Sequence, residues 1–263
     1  MPFHERAGLR FYSFDIFPET ITQAVFTRRG GVSPNPWASL NLGGSVGDDP
    51  TRVAENRLRI FRATRRDPAS IHDLCLAHGT DILYADAPQP IAEPPIRADI
   101  IFTDNPAVTL FMRFGDCVPI LFHDPTKNVI GVAHAGWLGT ARGVVQSAVA
   151  GMQARYGCDP KNIVAGIGPS ICAEHYQVGA DVVAQFQEKF PQDVHRMIQT
   201  QNGNSFLNLW ESNSIQLQNA GVKQIQVSGI CTACHLDDWF SHRAEKGKTG
   251  RFGALMALPA IIV

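Results

Sequence analysis

The stretch AVTLFMRFGDCVPILFHDPTKNVIGVAH, residues 107–134, decides the fold class. It holds three apolar runs, 107–114, 118–123 and 129–134, each with the length and the β-branched and aromatic content of a strand. Working outward, 21–28, 163–167 and 224–229 read as further strands. Asp49-Pro50 marks a helix start, with Asp as cap and Pro in the first helical position. Ala141, Val144, Val145, Ala148, Val149 and Met152 fall on one helical face, so 140–156 reads as one amphipathic helix. Val182, Val183, Phe186 and Phe190 mark another, and Trp210 to Ala220 a third, closed by Gly221. Helices and strands alternate only loosely, and several strands are neighbours in sequence. That pattern favours α+β with antiparallel pairing over a doubly wound parallel sheet.

The length of 263 residues allows one large domain or two small ones. Pro88, Pro90, Pro94 and Pro95 punctuate one surface connection that is too short to establish a boundary. With 44% hydrophobic and 18% charged residues the chain is neither disordered nor coiled coil. Lys plus Arg total 23 against 24 Asp plus Glu, which leaves no basic footprint for nucleic acid or an acidic membrane. The N-terminus lacks the apolar core of a secretory signal, and no apolar stretch approaches the ~20 residues of a membrane span. Six irregularly spaced cysteines read as reduced thiols. Cytoplasmic location is the expectation; no dimer seam can be read.

Three segments set a metal-competent side chain beside tight-turn residues: Leu76-Ala77-His78-Gly79-Thr80, Phe114-Gly115-Asp116-Cys117-Val118-Pro119 and Val132-Ala133-His134-Ala135-Gly136-Trp137. Two imidazoles and a thiolate suit zinc, which accepts nitrogen and sulfur together in a tetrahedral shell. Three protein ligands leave a fourth position for water or substrate, the mark of a catalytic site. Spacing alone leaves the bland reading open, in which each His is a hydrogen-bonded core or surface residue.

Ten segments carry a resemblance. They are Thr27-Arg28-Arg29-Gly30-Gly31-Val32-Ser33, Ser39-Leu40-Asn41-Leu42, Gly47-Asp48-Asp49, Glu55-Asn56-Arg57, His78-Gly79, Asp116-Cys117-Val118-Pro119, His134-Ala135-Gly136-Trp137, Gly168-Pro169-Ser170-Ile171, Cys231-Thr232 and Thr249-Gly250-Arg251. In this order, from about residue 20 to residue 255, they resemble the YfiH-type family, also called the laccase-domain or polyphenol oxidase family. The resemblance implies one domain over residues 1–263, with two mainly antiparallel sheets packed between helices. It implies a catalytic zinc held by His78, Cys117 and His134, with copper as the alternative metal. It further implies purine nucleoside phosphorylase activity on adenosine, inosine and methylthioadenosine, with adenosine deamination as a companion. The chain departs from the family at Leu138, where relatives usually carry Arg. Arg142, one helical turn later, is the candidate replacement. No family role carries over to His175, Gln177 or His242.

The remaining candidates follow from chemistry. A phosphate dianion needs cations and N–H donors, which Arg29, Arg251 and, less well, Arg28 offer, as does the helix start after Gly136. Asn41 could meet a ribose or base edge; its plainer role is a turn residue satisfying its own backbone. Asp116 is the expected acceptor for the second nitrogen of a ligand His.

Cys231-Thr-Ala-Cys234-His235 matches a haem-attachment pattern and half of a zinc ribbon, but it is read as coincidental, with Cys231 in the core. Cys75, Cys158 and Cys172 have no evident metal partner. Nine His without a His-x-His pair argue against multicopper oxidation. Two other readings compete: a cysteine hydrolase with Cys117 as nucleophile and His134 as base, and a peptidoglycan-precursor editing factor.

Overall fold

Side-chain alternation along the strands of residues 107–134 builds the layers of the molecule. The computed structural model describes residues 2–90 and 95–259; Pro94 of the expected surface connection lies outside them. One sheet contains β1 (Phe3–Arg6), β2 (Leu9–Tyr12), β3 (Thr22–Phe26), β4 (Ile71–Cys75), β6 (Ile96–Arg97), β8 (Thr109–Phe114) and β16 (Phe252–Ala257), ordered β1-β2-β3-β16-β8-β4-β6. A second contains β5 (Ile82–Tyr84), β7 (Ile100–Thr103), β9 (Val118–Asp124), β10 (Val129–Ala135), β11 (Val164–Ile167) and β15 (Gln224–Val227), ordered β15-β11-β9-β10-β7-β5. A small third sheet holds β12 (Gln177–Val178), β14 (Asn204–Leu207) and β13 (Ile198–Gln201). The helices are α1 (Pro50–Thr64), α2 (Trp137–Ala141), α3 (Val144–Tyr156), α4 (Ala180–Lys189), α5 (Val194–Met197) and α6 (Leu209–Asn219).

Because successive residues of a strand face opposite ways, each central strand feeds two cores. In β8, Leu110 and Met112 face the second sheet, while Phe111 packs with Ile60 and Phe61 of α1. In β10, Ile130 and Val132 enter the same inter-sheet core, while Val129 and Ala133 pack with Val145, Ala148 and Met152 of α3. Helix, sheet, sheet and helix therefore stack in that order, and the fold is α+β. Pairing is mainly antiparallel; β4 with β8 and β6, β5 with β7, and β11 with β15 are the parallel exceptions.

Asp49 caps α1 as expected, its side chain accepting from the Thr51 amide. The expected helix over 140–156 is two helices. Gly143 adopts a left-handed conformation (φ 82°) between α2 and α3, which breaks the helical run that the apolar spacing conceals. No helix among the described residues is long and apolar enough to cross a membrane.

Candidate metal centre

Between β8 and β9 the chain passes from one sheet to the other through Gly115-Asp116-Cys117, so Cys117 stands where the two sheets meet. The antiparallel register of β9 and β10 sets His134 opposite Pro119 and Ala135 opposite Val118, which brings His134 to the same end. His78 arrives on another crossing, the loop from β4 to β5. One donor atom from each of the three lies within 4.8 Å of the others, and the two imidazoles stand edge to face with centroids 4.9 Å apart. His134 is buried, Cys117 half-buried and His78 exposed, so the cluster is open on the His78 side. This donor set and spacing fit a zinc ion with a free coordination position.

The backbone is shaped to allow the approach. His78 (φ 57°) and Asp116 (φ 86°) both sit in the left-handed region, costly for non-glycine residues and common at functional sites. The Asp116 turn is fixed by its carboxylate, which accepts from Thr232 Oγ1 at 2.6 Å and from the Arg243 amide at 2.6 Å. Gly136 leaves room for the cluster: a Cβ there would lie 2.9 Å from Cys117 Sγ and 3.2 Å from His78 Cδ2.

The acceptor on His134 is Asp99, not Asp116. Asp99 immediately precedes β7, and its backbone carbonyl takes the His134 amide at 2.8 Å. Its carboxylate lies 2.9 Å from His134 Nδ1, leaving Nε2 as the imidazole's free donor atom. The same carboxylate accepts the amides of Ala77, His78 and Gly79, so one buried acid positions two of the three candidate ligands. Asp116 is committed elsewhere, because its turn must hold the Thr232 and Arg243 segments.

Charges follow this geometry. Burial raises the Cys117 thiol, but His134 and His78 facing it outweigh burial and bring it down to about 6. Burial lowers His134, but the Cys117 thiolate and Asp99 outweigh it and push the imidazole up to about 9. Burial also raises Asp99, and the bonds from His134 and the Gly79 amide bring it below the ordinary carboxylate value. Without metal, these shifts favour a thiolate facing an imidazolium, backed by a carboxylate, near neutral pH.

Arg251 is the expected cation whose charge interacts with Cys117, while its guanidinium contacts the Thr249 and Gly250 carbonyls and His242. Its side chain runs between Gly43 and Gly115, where an added Cβ would fall 2.8 and 2.9 Å from its carbons. Burial lowers its pKa, and the charges of Cys117 and Asp116 oppose that shift. Arg29 is exposed and held by the Asp237 carbonyl at 3.1 Å and the Asp238 carboxylate at 2.5 Å. Arg28 is tied to the Ala38 and Leu236 carbonyls and to Glu245. The expectation that Asn41 meets substrate gives way. Its amide is fully buried and occupied, accepting from Gly43 and Arg251 amides and donating to Gly43 and Asp48, so it anchors the Arg251 backbone instead. Arg142 is exposed at the C-terminal end of α2, and Leu138 is half-buried near its start. The helix after Gly136 is only the five residues of α2, which weakens the expected anion attraction of a long helix start.

Sequence reasoning missed Asp99, Tyr176 and Arg243. Tyr176 is raised by burial and then by the Cys117 charge, and Arg243 lies over its ring at 4.9 Å. The C-x-x-C segment also needs correcting: Cys231 is in the core as expected, but the pair is not isolated. Cys231 and Cys234 meet Cys172 and His175, residues set aside above.

A family model described as multi-copper polyphenol oxidoreductase laccase matches residues 22–259. The chain is 38% identical over 239 residues to a purine nucleoside phosphorylase of Deinococcus radiodurans, spanning 91% of this chain and 90% of that one. It is 33% identical to the purine nucleoside phosphorylase YfiH of Escherichia coli, spanning 92% and 95%. Among solved structures it resembles a Bacillus licheniformis hypothetical protein YfiH, with TM-score 0.90 and 32% identity over 98% of this chain and 99% of that one. YlmD of Geobacillus stearothermophilus superposes with TM-score 0.89 and 35% identity over the same shares. With its motifs, layers and length matched in this way, the chain belongs to the YfiH-type family, whose model carries the laccase description.

Proposed function

We propose that the chain, as one cytoplasmic domain over residues 1–263, is a zinc-dependent purine nucleoside phosphorylase. Adenosine, inosine or methylthioadenosine reacts with phosphate to give the free base and the corresponding ribose 1-phosphate, and adenosine deamination is a companion activity. The observation that carries this reading is the convergence of His78, Cys117 and His134 on one open point, with Asp99 locking His134. The names of the Deinococcus and Escherichia relatives support the reaction class.

A zinc ion held there would supply Lewis acidity, for activating water in deamination or for polarising phosphate or the leaving base in phosphorolysis. The chain's own groups have separable tasks. Before zinc binds, Cys117 and His134 face each other with opposite charges near pH 7. As ligands, Cys117 would bind as thiolate and His134 through a neutral Nε2, its Nδ1 proton held by Asp99. Arg251, packed against Gly115 and interacting with the Cys117 charge, offers a cation to the phosphate dianion. Arg142, on the exposed end of α2, is the second proposed phosphate contact, in place of the family's usual arginine at position 138. Multicopper oxidation is disfavoured by the donors: the two metal-competent groups among the described residues contain three imidazoles in all.

The test is incubation with inosine and phosphate. Hypoxanthine and ribose 1-phosphate are expected, and His134→Ala abolishes both. Absence of product from every purine nucleoside would reject the proposal. The thiolate–imidazolium pair favours one competing reading, a cysteine hydrolase. Metal analysis separates the two: about one zinc lost per chain on Cys117→Ala fits only the metalloenzyme.

A further inference from the structure

We propose a second metal site, built by Cys172, His175, Cys231 and Cys234, that takes a structural zinc ion. It is independent of the reaction assigned to the first centre. One ligand-type atom from each of the four residues lies within 4.8 Å of the others. His175 Nδ1 is the common corner, 3.3 Å from Cys172 Sγ, 3.5 Å from Cys234 Sγ and 3.9 Å from Cys231 Sγ. Zinc bonds of about 2.3 Å to sulfur and about 2.0–2.1 Å to nitrogen give tetrahedral edges of about 3.6 Å (S to N) and about 3.8 Å (S to S). The three measured edges scatter around the first figure. The three nitrogen–sulfur edges thus match a tetrahedral zinc shell, the sulfurs lie within 4.8 Å of one another, and none of the three cysteines is in a disulfide.

Two local turns prepare the set. Cys231-Thr232-Ala233-Cys234 is a C-x-x-C turn, the spacing with which zinc knuckles present two sulfurs to one ion. Cys172 and His175 bracket a 3₁₀ turn at Ala173–His175, in which residues three apart project on the same side. The segments are held in register by a parallel bridge between Ser170 and Cys231, and the Cys172 amide donates to Cys231 Sγ at 3.3 Å. An amide donating to sulfur is the kind of outer contact that steadies a coordinating thiolate. Cys172 and Cys231 are buried, whereas His175 and Cys234 are exposed, so an ion can enter a folded protein.

Four protein donors close the tetrahedron, which marks a structural site; the first centre, with three, keeps a position free. Three sulfurs and one imidazole select zinc over hard cations such as magnesium or calcium. The site clamps the turn at 170–176 to the turn at 228–235. Both reach the first centre: Thr232 holds the Asp116 carboxylate, and Tyr176 lies under Arg243, whose amide holds the other oxygen of that carboxylate. A filled second site therefore stiffens the wall beside Cys117 without touching the reacting atoms.

The experiment is metal analysis of full-length protein purified with reductant and without added metal, alongside two variants. About two zinc ions per chain are expected for the native sequence, and about one for Cys234→Ser and for Cys117→Ala separately. Cys117→Ala protein loaded with cobalt should show the strong absorption of tetrahedral cobalt thiolate, lost when Cys234→Ser is added. Retention of the native metal count in Cys234→Ser would overturn the site. So would cobalt-loaded Cys117→Ala without the thiolate bands, or a disulfide among Cys172, Cys231 and Cys234 in the purified chain. Failure of nucleoside cleavage leaves these readouts unaffected, so the two proposals stand or fall separately.

Discussion

Asp99 holds His134 at two points, taking its backbone amide at 2.8 Å and facing its Nδ1 at 2.9 Å through the carboxylate. The first contact extends the β7–β10 ladder by one residue, and the second fixes the ring. Strand pairing and imidazole orientation are therefore one feature. Three further amides, from Ala77, His78 and Gly79, bind the same carboxylate, so the His78 loop is aimed by the acid that aims His134.

Asp99→Asn is therefore expected to weaken zinc binding at the first centre by about 10–100-fold, the usual cost of losing an acceptor behind a metal-bound imidazole. The fold should persist, because the amide oxygen still accepts from the loop. Competition with a chromophoric chelator measures the change. An unaltered affinity would show that Asp99 does not position a ligand.

The charge pair predicts a pH window for the metal-free protein. Cys117 falls from an ordinary 9.0 to about 6, so its contribution to stability is present above pH 9 and lost as pH falls through about 6. His134 rises from 6.5 to about 9, so its contribution is present below pH 6.5 and lost as pH rises through about 9. Both charges coexist between about 6 and 9. Iodoacetamide should accordingly label Cys117 with a midpoint near pH 6, and His134→Gln should move that midpoint upward. A midpoint near 9 in the native chain would contradict the pairing, and slower labelling after zinc is added would place metal on the sulfur.

Gly136→Ala tests how tightly the backbone approaches the centre. The residue has an ordinary negative φ of −77°, so alanine adds no backbone strain there. The added methyl would meet Cys117 Sγ at 2.9 Å and His78 Cδ2 at 3.2 Å, displacing two donors at once. Reduced zinc content and reduced phosphorolysis are expected, with circular dichroism unchanged. Gly44→Ala is the matched control, since a Cβ there meets nothing within 4 Å. Equal behaviour of the two variants would mean that the approach of Gly136 is irrelevant to the site.

What could be read from the sequence follows from where the physical signal is local. The runs that become β8, β9 and β10 are continuous and apolar because both faces of each strand are buried, and that pattern survives in one dimension. The central strand β16 escaped because Phe252-Gly-Ala-Leu-Met-Ala257 has little strand propensity. Gly253 is there to let the Phe111 ring pack, a reason visible only across the sheet. Asp99 escaped for a related cause: an acid ahead of a strand has no spacing relation to His134 until β7 and β10 pair. The C-x-x-C turn was visible but uninterpretable, because its partner His175 lies 59 residues from Cys234 and is brought to it by long-range contacts such as the Ser170–Cys231 bridge and the Cys172 amide on Cys231 Sγ.

Arg251 and Arg29 looked alike as sequence candidates, and the structure separates their expected behaviour. Arg29 is exposed and already paired with Asp238, an arrangement whose loss typically changes little. Arg251 lies between Gly43 and Gly115, senses the charges of Cys117 and Asp116, and has its backbone fixed by the buried Asn41. If it contacts the phosphate dianion, Arg251→Met removes a charged hydrogen-bond donor, and KM for phosphate should rise about 10–100-fold. KM for inosine should change much less, and Arg29→Ala should resemble the native enzyme in both constants. Arg251→Lys keeps the charge but loses the planar fork, so it should fall between the two. Steady-state kinetics with each substrate varied in turn decides the matter. An equal loss for both substrates, or a defect in Arg29→Ala as large as in Arg251→Met, would remove Arg251 as the phosphate contact.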